Sequence, residues 1–363
     1  MKPGNKTLLL LVASNRRRGA EVFGERLLVG LSQRGWDVDF VAVQAADAAK
    51  VVPAEPLAPS TATGRLNPRT ILALRRRIRS RKPAILLANG GATLRYAVAA
   101  RTMLRNRPVL AYGSIGEPRY WLRSRRHIRM QRFFQGRADT VLAVSAMTKS
   151  QLVSDLLLNP ERVHVAPTGV PPEFFVDKTT TSDELRLLFL GSLSAEKNPL
   201  AAVEVAEQVG ADRPVKLRLV GAGPLEAEIA ARVASGSSTT GIELTGSVAD
   251  VIPHLKWANL LLLPSRTEGL PGAVLEAGAA GVPTLAFDVG GTRETMVDGT
   301  SGLIVAPGDI TAMAEAAGQL AANPARLHNM GREQQKYVRD HFTLAAAIDR
   351  FDQLLTAALE LGS

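Results

Sequence analysis

Two carboxylates, Glu268 and Glu276, stand on either side of a Gly269-Leu270-Pro271-Gly272 loop. An apolar run over Leu260–Leu263 stops at Pro264 before them, and Val274–Ala280 reads as a helix after the loop. A strand, a glycine loop and a helix start together make an anion site, because the first backbone N–H groups of a helix have no internal partner. Gly272 and Ala273 can offer such N–H groups to a diphosphate, and Leu270 can offer one to an attached sugar. Pro271 has no N–H and only shapes the loop. A carboxylate repels phosphate, so the glutamates need another partner. An ionised carboxylate only accepts hydrogen bonds, and a vicinal diol donates two. Phosphate flanked by diols is the chemistry of a nucleotide sugar. The plainer reading of the same residues is a strand-to-helix turn with a surface glutamate that the helix dipole favours.

A chain of 363 residues exceeds a single ordinary core and predicts two domains. Apolar strand runs alternate with amphipathic helical stretches in both halves, as in a parallel sheet with crossover helices. In the first half the strands are expected at 8–13, 38–43, 84–88, 109–112, 140–144 and 163–166. Helices are expected at 21–33, 69–79, 92–104, from Met147, and as one very basic helix over 120–134. A Pro/Ala-rich loop spans 52–63. Residues 169–183, rich in Pro, Thr and charge, read as an interdomain linker. The second half repeats the pattern from 185 to 321, and a last helix runs from Leu344 to about Leu359. The expected divisions are residues 1–172, 173–345 and a terminal helix, 346–363. Two doubly wound sheets of this kind bind ligands in the crevice at the carboxyl ends of their strands.

The run Pro264-Ser265-x-x-Glu268-Gly269-x-Pro271-x-x-x-x-Glu276-Ala277-x-Ala279-x-Gly281-x-Pro283 resembles the donor signature of retaining family-4 glycosyltransferases of GT-B fold. Phe189-Leu190-Gly191 leading to Glu196-Lys197-Asn198, Leu219-Val220-Gly221-Ala222-Gly223, and Gly290-Gly291 match in order. The likeness extends from about residue 7 to residue 355. It implies two Rossmann-like domains facing a cleft, with the last helix crossing back to the first domain. It also implies transfer of a sugar from a nucleotide diphosphate to a hydroxyl. In that scheme Glu276 grips the nucleotide ribose, Glu268 orients the transferred sugar, and Lys197 neutralises the diphosphate. The family usually adds an arginine just after the glycine, where this chain has Ser192. Gly221 and Val248 would border the nucleotide, and Gly19 would let backbone approach the donor. A histidine often stands near the tip of the fourth or fifth strand. Here Asn89-Gly90-Gly91 and Tyr112-Gly113-Ser114 stand instead, with Glu117 and Ser114 as the nearest polar residues on the acceptor side.

Other motifs exclude more than they assign. Gly221-Ala222-Gly223 lacks the third glycine of a dinucleotide fingerprint, where Glu226 stands, so a nicotinamide cofactor is not expected. Asp37-x-Asp39 mimics a metal motif without a nucleotide loop nearby. It reads as a solvated strand edge, and no cofactor or required metal is expected. The chain has no cysteine, which removes disulfides and thiolate metal sites.

Charge is unevenly divided. Residues 1–170 hold 29 Lys and Arg against 10 Asp and Glu, whereas residues 171–363 hold 15 against 24. The excess clusters at Arg16–Arg18, Arg75–Lys82 and Arg119–Arg132. Such a half suits an anionic membrane face or an anionic acceptor. Aromatic residues are too sparse among the arginines for a single-strand stacking platform, so no nucleic-acid partner is expected. The first apolar run, Thr7–Ala13, is too short for a membrane span or a signal core, so a cytoplasmic place, peripheral at the inner membrane face, is expected. The expected substrates are a UDP- or GDP-linked sugar and a glycan or glycolipid acceptor. Two other readings stay open: a nucleotide-sugar epimerase on the same fold, and a basic binding module without transferase activity.

Overall fold

The computed structural model describes residues 6–46, 51–59, 66–102, 104–122, 124–177, 184–234 and 240–362. Arg123 of the basic run, residues 60–63 of the Pro/Ala-rich loop and Lys178–Asp183 of the expected linker lie outside them. The chain forms two compact units: residues 1–168 with 345–363, and residues 169–344.

Unit 1 is built on a parallel sheet of seven strands. These are β1 (Thr7–Ser14), β2 (Asp37–Gln44), β3 (Glu55–Pro56), β4 (Ile85–Asn89), β5 (Val109–Ser114), β6 (Thr140–Ala143) and β7 (Val163–Val165). Their spatial order is β3-β2-β1-β4-β5-β6-β7. Leu8 to Val12 are buried without alternation, because helices cover both faces of a parallel sheet. The helices are α1 (Gly19–Ser32), α2 (Pro68–Arg81), α3 (Gly91–Thr102), α4 (Pro118–Trp121), α5 (Arg125–Gln135) and α6 (Ala146–Ser154).

Unit 2 repeats the plan with six parallel strands: β8 (Leu185–Leu190), β9 (Val215–Val220), β10 (Thr240–Gly246), β11 (Leu260–Leu263), β12 (Thr284–Phe287) and β13 (Gly302–Val305). The order is β10-β9-β8-β11-β12-β13. Its helices are α7 (Pro199–Gly210), α8 (Glu226–Ala234), α9 (Ile252–Trp257), α10 (Gly272–Ala279), α11 (Ile310–Ala321) and α12 (Pro324–His341). The last helix, α13 (Leu344–Gly362), packs within unit 1. Phe351 meets Phe23 edge-on, the Trp36 indole N–H donates to Asp352 at 2.7 Å, and Arg34 Nε donates to Asp349 at 2.8 Å. No helix among the described residues is long and apolar enough to cross a membrane.

Several expectations change. The single basic helix over 120–134 is two helices, because the Ser124 hydroxyl accepts the His127 N–H at 3.2 Å and starts α5 afresh. The first part of the expected linker is packed structure. The Val170 N–H donates to Phe342 O and the Leu344 N–H to Val170 O, both at 2.8 Å, and Phe174 is buried. Asp39 is no solvated edge residue. It is buried and takes a two-pronged ion pair from Arg77, with both bonds at 2.7 Å, while Arg81 holds Asp37 at 3.0 Å. Alternation puts both aspartates on the face that α2 covers, so part of the arginine cluster is neutralised inside the unit.

Candidate functional site

Sheet order dictates where chemistry can gather. In unit 2 the order reverses between β8 and β11, which lie side by side with Leu260 opposite Leu187. The loops leaving these strands therefore diverge and leave a crevice at the strand ends. The loop after β8 carries Ser192 and Lys197, and the loop after β11 carries Glu268 and opens α10.

The two loops meet through an ion pair. Lys197 Nζ lies 2.6 Å from Glu268 Oε1 and 2.8 Å from Oε2. The glutamate side chain is 5% exposed and the lysine side chain 35%. Lys197 is placed by Asn198, which turns the chain at φ +54°, and by Pro199, which starts α7. The sequence assigns the two residues to different parts of a donor, sugar and diphosphate. The structure brings them onto each other, so one ammonium serves both carboxylate oxygens.

Glycines let these loops close. A Cβ at Gly290 would lie 1.7 Å from Glu268 O, and one at Gly221 would lie 1.8 Å from Gly191 O. Gly290 also has φ +49°. The family resemblance places Gly221 beside the nucleotide; its side-chain position is filled by the loop after β8, so its glycine is required by packing within the unit. The Gly290 contact has no signal in the sequence beyond a Gly-Gly turn.

Around the pair, α10 begins two residues earlier than expected, at Gly272 behind Pro271. Gly272 is exposed, Ala273 half-buried and Leu270 buried. The first two helix residues thus present N–H groups without intrahelical partners. Glu276 is half-buried, one turn into the helix. Ser192 is exposed, and its hydroxyl reaches Ala222 O only at 3.5 Å. Val248 is half-buried in the loop after β10. A cavity of about 710 Å³ in this unit is lined by Asn198, Ser265 and Arg266 but by none of Lys197, Glu268 and Glu276, so it is a neighbour of the ion pair and not its floor. No cluster of three or more possible metal ligands occurs among the described residues.

Unit 1 has its own reversal, between β1 and β4. Gly19 begins α1 after β1 and is exposed, and a Cβ there would meet nothing within 4 Å. Asn89 at the end of β4 donates to Ala20 O at 3.2 Å. Next to Ala20 is Glu21, a buried carboxyl. Burial pushes it above the ordinary carboxylate value, against backbone N–H groups of Glu21 and Ser14 and the Arg18 charge. Ser114 is buried at the end of β5 and hydrogen-bonds the Tyr112 hydroxyl. Glu117 accepts from Gln151 Nε2 at 3.2 Å. Ser114 and Glu117 line one cavity, together with His127 of α5.

Two family models match the chain: glycosyltransferase family 4 over residues 17–174, and glycosyl transferases group 1 over residues 184–323. A 2-deoxystreptamine glucosyltransferase of Streptomyces kanamyceticus is 28% identical over 228 residues, 59% of this chain and 59% of that protein. A D-inositol 3-phosphate glycosyltransferase of Catenulispora acidiphila is 30% identical over 249 residues, 62% of this chain and 59% of the other. The chain thus spans about three fifths of the length of these relatives. Among solved structures, a sucrose-phosphate synthase from Thermosynechococcus elongatus superposes with a TM-score of 0.84 at 18% identity, covering 99% of this chain and 100% of that one. Anabaena HepE in complex with UDP-glucose gives 0.79 at 18% identity over 97% and 99%. At these identities the structural likeness establishes the fold.

Proposed function

We propose that this chain, which belongs to glycosyltransferase family 4, transfers a hexose-type sugar from a UDP- or GDP-linked donor to a hydroxyl, retaining the anomeric configuration. One observation carries the reading. At the reversal of the unit 2 sheet, a lysine and a buried glutamate are paired beside a helix start whose first N–H groups have no intrahelical partner. The amides of Gly272 and Ala273 and the Lys197 ammonium suit a diphosphate, whose charge grows as it leaves. The helix-start amides, fixed before the reaction, stabilise developing charge without reorganising. Lys197 is within hydrogen-bond reach of both Glu268 oxygens, so a phosphate can draw the ammonium over and release the carboxylate to the sugar hydroxyls. Glu276, one turn on, suits the ribose diol. Leu270 N–H faces the sugar in this reading, with Val248 near the base, Ser192 near the phosphates and Gly19 on the donor. The diphosphate oxygen itself takes the acceptor proton, so no separate base is needed.

The acceptor is a glycan or glycolipid precursor at an anionic membrane face. Supporting this, Trp121, Met130 and Phe133 are exposed on α4 and α5, among Arg119, Arg125, Arg126 and Arg129. Aromatic and apolar side chains interleaved with arginines suit a headgroup layer. The relatives named above act on cyclitol acceptors by their names, which fits a ring-hydroxyl acceptor. Thermal-shift screening with UDP- and GDP-sugars tests the donor: a ligand at about 100 times its dissociation constant adds about 2.7 kcal/mol. The cognate donor should raise Tm, and Glu276→Ala should abolish that rise. An unchanged rise in the variant counts against the assignment.

A further inference from the structure

The cavity of about 710 Å³ in unit 2 lies beside the Lys197–Glu268 pair and is lined by neither residue. Its size is in the range of small-molecule sites. The start of α7, the loop after β11, α8 and the loop after β13 all contribute to its wall. At the β11 loop the wall is positive. Arg266 is exposed there, its backbone N–H donates to Glu196 O at 2.8 Å, and no acceptor among the described residues holds its guanidinium. Next to it Ser265 is 1% exposed, and its Oγ has no hydrogen-bond partner. A buried hydroxyl without a partner is a standing cost that a ligand atom removes. The start of α7 adds the Leu200 N–H, which has no intrahelical acceptor, and the positive end of the helix dipole.

Toward α8 the wall is negative. Glu204 of α7 and Glu228 and Arg232 of α8 line it. Arg232 is neutralised from behind, because it donates to Glu207 at 3.2 and 2.6 Å and also feels the Glu204 charge. Three carboxylates thus stand against one guanidinium at this end. Glu204 lies six residues beyond Asn198 along α7, a rise of about 9 Å, so the two ends are well separated. Leu200 and Ile310 add apolar surface to the wall.

The two ends select the occupant. Inorganic phosphate would suit Arg266 but would face the glutamates. A simple cation would suit the glutamates but would leave Arg266 and Ser265 Oγ without an acceptor. A neutral ring would bring counter-charge to neither end. One molecule carrying an oxyanion and an ammonium, with a carbon spacer against Leu200 and Ile310, satisfies all of them. We propose that this cavity binds a small zwitterion, its carboxylate or phosphate on Arg266 and Ser265 Oγ and its primary ammonium at Glu204 and Glu228. The proposal does not rest on the transferase reading, since the cavity shares no residue with the Lys197, Glu268 and Glu276 set.

Ligand-observed NMR titrations of the full chain test it with four probes: 6-aminohexanoate, 6-aminohexyl phosphate, hexanoate and hexylamine. At least one zwitterion should bind saturably and at least about fivefold tighter than both hexanoate and hexylamine. Which zwitterion binds tells carboxylate from phosphate. Arg266→Gln and Glu228→Gln should each weaken it about fivefold, the scale of one partly hydrated charge pair. Both residues are exposed, so Tm should stay at the wild-type value. Ser265→Ala should weaken it as well without lowering Tm through a lost hydrogen bond, because Ser265 Oγ gives none to the protein. UDP-glucose should not displace the zwitterion. Saturable binding by neither zwitterion overturns the proposal, and so does hexanoate or hexylamine binding as tightly. Binding that either charge variant leaves intact overturns it too. Displacement by UDP-glucose would put the probe in the crevice of the ion pair and overturn it, whereas a chain that binds the zwitterion but no nucleotide sugar would fault the transferase reading alone.

Discussion

Lys197 and Glu268 leave adjacent strands, β8 and β11, and meet with both carboxylate oxygens within 2.8 Å of one ammonium. The glutamate is nearly sealed from water, while the lysine is about one-third exposed. Removing the cation therefore strands a buried carboxylate, whereas removing the carboxylate leaves a lysine that can turn to solvent. Lys197→Met should cost about 1–3 kcal/mol, below the full penalty for breaking a buried pair because the lysine is partly hydrated. Glu268→Gln should cost less. Both should lower kcat for transfer. Chemical denaturation of the two single variants and the double variant measures the asymmetry, and equal costs would contradict it.

Neither partner's pairing is visible in the sequence. Each is legible alone, through Glu196-Lys197-Asn198 and Glu268-Gly269-x-Pro271, because local motifs carry helix starts and glycine turns. Their meeting depends on β8 lying beside β11, a fact of sheet order that joins residues 71 positions apart. The alternating strand and helix pattern is legible for the same local reason. Helix α12 is not. Its buried stripe, Leu327, Met330, Gly331, Gln334 and Val338, contains a glycine and an amide, so the apolar period is broken. Gly331 packs against Gly281 O, and Gln334 Nε2 donates to Thr295 O at 2.8 Å. These are tertiary reasons that no periodicity displays.

Gly290 carries Glu268's backbone. A methyl group there would overlap Glu268 O, and φ +49° is itself unfavourable for a side chain. Gly290→Ala should push the β11 loop away from the β12 loop and misplace the carboxylate. The expected outcome is a lower Tm together with loss of the donor-induced Tm rise. Gly299→Ala serves as control, since Gly299 shares a positive φ but a Cβ there would meet nothing within 4 Å. It should lower Tm through backbone strain alone and keep the donor response.

Glu21 gives a pH signature. Its carboxyl titrates above the ordinary value because burial disfavours the charged form. Between the unfolded and folded values the native state therefore holds more protons than the unfolded chain. Stability must fall as pH rises through that window. Below the unfolded value, about 4.3, the group is protonated in both states and no penalty applies. Glu21→Gln, which still offers an amide oxygen to the backbone N–H groups, removes the penalty. The Tm of the variant should match wild type near the acid end and exceed it increasingly toward neutral pH. A constant difference, or one of opposite sign, in melts across the pH range would refute the assignment.

Asp39 tests whether the arginines of α2 are structural or free for an outside anion. Arg77 holds Asp39 through two bonds of 2.7 Å, and Asp39 in turn holds Arg77 protonated far above physiological pH. Asp39→Asn should cost about 1–3 kcal/mol, as expected when one member of a mostly buried, hydrogen-bonded pair loses its charge. Binding to anionic vesicles should not fall, because the membrane reading uses α4 and α5. Arg126→Ala with Arg129→Ala, both exposed on α5, should weaken vesicle binding by about 1 kcal/mol per residue and leave Tm nearly unchanged. The reverse pattern in vesicle sedimentation would move the membrane face to α2.

Gly19 separates packing from ligand approach. It opens α1 without a positive φ, and a methyl group on its Cα would have no neighbour within 4 Å. Nothing in unit 1 requires glycine there, in contrast to Gly221 and Gly290 in unit 2. Gly19→Ala should leave Tm unchanged or raise it, since glycine in a helix is worth about 0.5–1 kcal/mol less than alanine. If a donor passes close to this backbone, the added methyl group must meet the ligand instead of the protein. The expected result is a stable variant whose dissociation constant for the nucleotide sugar rises at least about tenfold, a loss of about 1.4 kcal/mol. A stable variant that binds the donor as wild type does would remove Gly19 from the donor site and leave it as an ordinary helix start.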